Sequence, residues 1–214
     1  MKYLNLLLAT CVVFATSAQA SDASDQALQQ LQQQWAVNNY TLKGDAQEKA
    51  FDALLKQADD AVKTYPEDTA IVIWHGIINS TYAGVSGGLG ALKYAKIAKA
   101  DFEKAIVREP ETLQGSAYTS LGVLYFKVPG WPIGFGDDDK AEQLLKKALS
   151  INPNGIDANY FYGEFLLDDD RYDEAEKYLQ KALQAAPRPG RELADSGRKQ
   201  EIAAALDKLK KQQS

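Results

Sequence analysis

One histidine, two runs of three aspartates and a glycine-rich aromatic stretch are where chemistry could be sought in this chain. His75 lies in the apolar run Ile71-Val72-Ile73-Trp74-His75-Gly76-Ile77-Ile78. No second histidine completes a metal site and no nucleophile elbow lies nearby, so packing between helices is the task expected of it. Asp137-Asp138-Asp139 and Asp168-Asp169-Asp170 could gather oxygens around a hard cation. Both lack the alternating ligands and closing glutamate of a calcium loop, and each stands just before an expected helix, where carboxylates cap free N–H groups. Gly134-Phe135-Gly136 lacks the Lys-Ser or Lys-Thr ending that a phosphate loop needs. The expectation is a noncatalytic protein with no cofactor and no bound metal.

Aromatic side chains are the more informative set. Tyr118, Tyr125 and Tyr162 fall at spacings that suit core packing. Trp131, between Pro129 and Pro132, has no core position and either staples its loop to the scaffold or lines a pocket. Phe135 shares that loop, and Gly87 and Gly88 occupy a second glycine-rich stretch. Trp131, Phe135, Gly87 and Gly88 are therefore possible ligand-binding loop residues.

The elements that must position these groups are helices. In residues 156–189, counted from Ile156, Gly163 falls at position 8, Leu166 at 11, Ala175 at 20, Leu179 at 24, Ala182 at 27 and Pro187 at 32. Two amphipathic helices joined at Asp168-Asp169-Asp170-Arg171 account for this spacing. The small residues stand where the helices must approach closely, and the proline ends the second helix. Gly122, Ala141, Leu145, Ala148 and Pro153 repeat the pattern upstream, as do Gly76, Ala98, Phe102, Ala105 and Pro110, and in part Leu54, Ala58, Ala61 and Pro66.

This pattern resembles the tetratricopeptide repeat. The resemblance implies an all-α fold, an α-α superhelical solenoid with repeats near residues 35–67, 69–112, 115–154 and 156–189 and a capping helix at 191–212. About ten extra residues in the second unit and about seven in the third imply enlarged inter-helix loops, neighbours in space on one edge of the solenoid. Ser24 or Asp25 can cap an edge helix that runs to about Tyr40, with Leu28, Leu31 and Trp35 on one face.

In tetratricopeptide proteins the inner groove draws on the first helix of each unit. Carried over, the partner-binding positions are Ile73, Ile77 and Ser80 in the second unit, and Ser116, Thr119, Val123 and Phe126 in the third. In the fourth they are Asp157, Tyr160, Glu164 and Leu167. These positions lack the dense basic clamp of receptors for carboxylate tails. The family implies a protein or peptide partner. The long insertions are also similar to those of exported repeat proteins associated with transport, which implies a small-molecule ligand as the alternative.

Composition and the leader complete the reading. At 45% hydrophobic and 25% charged residues, the chain is not of disordered composition, and its net charge of -5 argues against a nucleic-acid partner. Lys2, the apolar stretch from Leu4 to Phe14 and Ala18-Gln19-Ala20 have the layout of a secretory signal peptide at residues 1–20. The mature domain is then 21–214, periplasmic and without a stable membrane span. Leu8-Ala9-Thr10-Cys11 admits a second reading, a lipoprotein anchored at Cys11. The final helix carries Arg191, Arg198, Lys199, Lys208, Lys210 and Lys211 beside Glu192, Asp195, Glu201 and Asp207, a mixture expected on a solvated face.

Overall fold

The structure is a computed structural model that describes residues 12–88 and 90–213, with side chains from residue 22 onward. The expected leader, its cleavage after Ala20 and the alternative anchor at Cys11 lie outside the described side chains. The described residues form helices in antiparallel pairs: α1 (Val12–Thr41) with α2 (Gly44–Thr64), α3 (Thr69–Ser86) with α4 (Ala91–Arg108), α5 (Ser116–Lys127) with α6 (Asp138–Ile151), and α7 (Ile156–Asp168) with α8 (Tyr172–Leu183). A final helix, α9 (Glu192–Gln212), follows. The architecture is an all-α solenoid of repeating helix pairs of the tetratricopeptide kind.

Small residues at fixed positions explain the pairing. A Cβ on Gly76 would stand 2.6 Å from the Phe102 ring, one on Gly122 2.8 Å from Leu145, and one on Gly163 2.8 Å from Leu179. Each glycine of a first helix thus receives the large apolar residue of its second helix. The facing small residues Ala98, Ala141 and Ala175 are fully buried. Pro66, Pro110, Pro153 and Pro187 all stand just beyond the end of a second helix, where the missing N–H does no harm.

The structure corrects several expectations. Ser24 and Asp25 lie inside α1 rather than capping it. Residues 12–25 contain neither glycine nor proline, so nothing there stops the helix earlier. The extra residues of the second unit do not bulge out as a long loop. They lengthen α3 and α4 to 18 residues each, and just beyond α3 Gly87 and Gly88 take positive φ. The added turns are held together by Tyr82 packed edge-on against Tyr94, ring centroids 4.7 Å apart. The insertion of the third unit does remain a loop, and Lys99 in α4 reaches it, 5.8 Å from the Phe135 ring.

The two aspartate runs differ in role. Asp137 caps α6 by accepting from the Lys140 backbone N–H at 3.0 Å. Asp168-Asp169-Asp170 does not cap α8, whose N-cap residue is Arg171. Asp168 instead ends α7 and pairs with Lys127 at 3.1 Å and Lys208 at 3.4 Å. Asp170 takes the left-handed φ of 57° that reverses the chain. The difference arises because Arg171 lies between the run and α8, which places the carboxylates at the preceding C-terminus.

Candidate functional site

α9 decides what becomes of the groove. It packs against α7 and α8 and also touches α1, so that the last helix meets the first across the inner face. Gly197 permits the meeting: a Cβ there would lie 2.3 Å from the Tyr40 ring. α9 runs unbroken through Gly197. Tyr40 donates its hydroxyl to Glu201 at 3.3 Å, which fastens α1 to α9.

Behind this seam lies a cavity of about 600 Å³. α1 contributes Gln32, Trp35 and Tyr40, and α3 contributes Trp74, Ile77, Ser80 and Thr81. From the later helices come Ser116, Thr119, Ser120 and Val123, then Asp157 and Phe161, and finally Ala194 and Arg198. Trp35 is fixed on two sides, by its indole N–H on the Thr81 hydroxyl at 2.9 Å and by edge contact with Trp74 at 5.8 Å. The rim is formed partly by Leu113 and Gln114, non-glycine residues at φ 50° and 57°. Such backbone costs about 1–3 kcal/mol per residue and persists only where its surroundings hold it. One such hold is visible: the Asn152 amide donates to Gln114 at 2.6 Å.

Three arginines and one aspartate are the charged residues of the lining. Arg188 donates to Asp157 at 2.6 Å and to Asp195 at 2.8 Å. Arg198 donates to the other Asp157 oxygen at 2.8 Å and also pairs with Glu201. Its guanidinium lies 4.6 Å from the Tyr160 ring centroid and 4.4 Å from that of Phe161. Burial acts to raise the Asp157 carboxyl, but Arg198 and Arg188 outweigh it and hold the group at about 2. Glu201 is raised by burial despite its arginine.

Arg191 is different. Its guanidinium lies 4.9 Å from the Trp74 ring centroid, while its buried Nε finds no hydrogen-bond acceptor among the described residues. Burial lowers its pKa, and the neighbouring Arg188 lowers it further. Sequence reasoning placed Arg191 and Arg198 on a solvated helix face; the structure places both at the cavity. Arg188 also lines the cavity, although the repeat pattern assigns it no role. The Arg-Pro-Gly-Arg run at 188–191 was the one available signal, since it closes a repeat with two fixed cations.

The groove positions taken from the repeat pattern divide in two. Ile77, Ser80, Ser116, Thr119, Val123 and Asp157 come together around the cavity. Ile73 is fully buried in the core, and Phe126 packs edge-on against Phe165. Tyr160, Glu164 and Leu167 line a smaller depression of about 270 Å³ together with Glu201, Ala205 and Lys208 of α9. α9 therefore lies over the fourth unit's part of the groove.

The loop residues lie outside both cavities. Phe135 packs on Tyr125 with centroids 5.7 Å apart. Trp131 is 90% exposed and Ile133 72% exposed. Their loop is nonetheless braced: Gly136 N–H donates to Pro129 at 3.0 Å and Gly134 N–H to Gly130 at 3.1 Å, while Asp137 N–H reaches back to Tyr125 at 2.9 Å. A Cβ on Gly136 would stand 1.9 Å from the Val128 carbonyl oxygen, so that the fold of the loop requires glycine there.

His75 belongs to neither region. Asp101 of α4 meets Nδ1 at 2.7 Å and Asp59 of α2 meets Nε2 at 2.9 Å, which pins three helices together. Among the described residues, no group of three or more His, Cys, Asp or Glu side chains is placed to hold a metal ion. Nor is any described helix long and apolar enough to cross a membrane.

Comparison with known proteins bears on the fold. A family model described as tetratricopeptide repeat matches residues 133–195. A thermophilic TPR protein of Thermus thermophilus, known from its crystal structure, superposes with a TM-score of 0.56 at 22% identity. The alignment covers 85% of this chain and 89% of that one, and it establishes likeness of fold. No curated protein matches the chain.

Proposed function

We propose that this protein is a noncatalytic scaffold of the tetratricopeptide-repeat type that holds another protein, and that it does so outside the cytoplasm. The observation that carries the reading is the braced loop at 128–137, which offers Trp131 and Ile133 to solvent from a rigid backbone. A fixed, exposed tryptophan is the kind of anchor that dominates protein interfaces, because it brings a large contact area at small cost in ordering. The helix pairs supply the stiffness beneath it. The part of the inner groove formed by Tyr160, Glu164 and Leu167 is already in contact with α9, which favours the loop over that stretch as the docking surface.

The test is capture from the native cell envelope with Trp131→Asp and Ile133→Asp, singly and together. The expected result is loss of a stoichiometric protein partner, with helicity retained and stability within about 0.5 kcal/mol of wild type, as for surface changes generally. A partner that stays bound to the double variant overturns the assignment of the loop. The extracytoplasmic address rests on the leader-like residues 1–20. N-terminal sequencing of the protein from its native cells should begin at Ser21; a chain that retains residues 1–20 in the cytosolic fraction overturns it.

A further inference from the structure

The cavity behind the α1–α9 seam has a composition that its own structural role does not explain. At about 600 Å³ it is of the size that encloses small organic ligands. Its walls join apolar surface from Trp35, Trp74 and Val123 to the hydroxyls of Ser80, Ser116 and Ser120. Its charged lining is three guanidiniums against the single carboxylate of Asp157. Arg188 and Arg198 are satisfied by Asp157, Asp195 and Glu201. Among the described residues Arg191 has no such partner, and its Nε is buried without an acceptor.

A guanidinium stays charged even when partly buried, and a buried donor left without a partner destabilises the fold. The first turns of α5 and α7 reach the same space through Ser116 and Ile156, and neither helix has a side-chain cap. Their N-terminal dipoles favour negative charge in the cavity as well. We propose that this cavity binds a small organic carboxylate, its planar anion held on Arg191 and its apolar body lying along Trp74, Trp35 and Val123. One free guanidinium matches a monoanion, and its planar fork matches a carboxylate. The apolar walls disfavour a phosphate, which would bring a second charge with no second free cation to meet it. The site is independent of the Trp131 loop, so either can fail without the other.

The test is calorimetric titration of the full chain with hexanoate, octanoate and 3-phenylpropionate, each beside its neutral amide. The acids should bind at least about tenfold more tightly than the amides, the worth of one charge-assisted contact. Arg191→Gln should erase that preference and Arg191→Lys should restore part of it. Ser120→Leu, which fills the cavity without touching the ion pairs, should weaken every acid. It also serves as the deciding variant if Arg191→Gln does not fold. The proposal is overturned if none of the acids binds, if acids and amides bind alike, or if either Arg191→Gln or Ser120→Leu leaves the affinity for acids unchanged.

Discussion

The interfaces inside the helix pairs and the seam between α1 and α9 solve one packing problem in opposite ways. Within a pair, a glycine meets a large apolar side chain from the neighbouring helix, as Gly163 meets Leu179, and the contact is dry. At the seam a glycine also makes room for a large side chain, Gly197 for Tyr40, but the surroundings are ionic: Arg198, Glu201, Asp157 and Arg188. Pair interfaces join residues near in sequence, whereas Tyr40 and Glu201 are 161 residues apart. The pairs thus stack into a scaffold through contacts between neighbours, and the seam closes that scaffold around a cavity.

The largest effect should come from breaking the dry side of this contrast. Gly163→Leu places a whole side chain where even a Cβ would be 2.8 Å from Leu179, with the Leu179 backbone N also within 3.3 Å. Neither the ring of contacts nor the backbone can move far, so overpacking should cost about 3 kcal/mol. Urea unfolding should show a lower midpoint for the whole chain, without an early phase confined to α9. A separate early transition of α9 would mean that the pair interface is not what holds the repeats together.

A smaller and more local effect is expected at the seam. Asp157→Asn keeps the shape but leaves Arg188 and Arg198 facing each other across a neutral amide. Breaking a fully buried pair costs about 3–5 kcal/mol, and since one third of this side chain is exposed the cost should fall to about 1–2 kcal/mol. Limited proteolysis should cut first near residues 184–191 in the variant, releasing α9 before the pairs unfold. The pH dependence has a definite sign. With the folded carboxyl at about 2, below its ordinary 3.8, the stabilisation is present above about pH 4 and is lost as pH falls toward 2. Wild type and variant should therefore converge in acid, and a gap that persists at pH 2 would exclude the ion pairs as its source.

The same contrast explains what could be read in the sequence. Gly76, Gly122 and Gly163 with their partners Phe102, Leu145 and Leu179 recur at repeat positions 8 and 24 once the insertions are set aside, so the helix pairs and the fold class were legible. Six groove positions from that spacing do meet at the cavity. The arginines were not legible, because a guanidinium beside acidic residues on a helix looks the same whether it faces water or a second helix. What buries Arg198 is the return of α9 to α7 and α1, a long-range event that no periodicity encodes. The lengthening of α3 and α4 was missed for a related reason: Ser86-Gly87-Gly88 marks a turn but does not say how far the helices run toward it.

His75 sharpens the comparison, since it is an ionic contact of the kind found at the seam placed among the stacked pairs. Burial works to lower its pKa, but the hydrogen bonds and charges of Asp101 and Asp59 outweigh that and raise it above 6.5. A raised folded value means that the protonated ring stabilises the fold. That contribution is complete below the unfolded pKa of about 6.5 and disappears as pH rises through the folded one. Deprotonation leaves the Asp101 bond on Nδ1 intact, and the Asn79 amide, 3.3 Å from Nε2, can then donate to the neutral ring in place of the Asp59 contact. Only about one hydrogen bond's worth, roughly 1 kcal/mol, is therefore at stake, the smallest of these effects. The stability advantage of wild type over His75→Gln, taken from urea midpoints, should be greatest near pH 6 and shrink toward pH 9. An advantage that grows with pH would mean that the neutral ring is the form the helices hold, and that the pairs draw their stability from dry contacts alone.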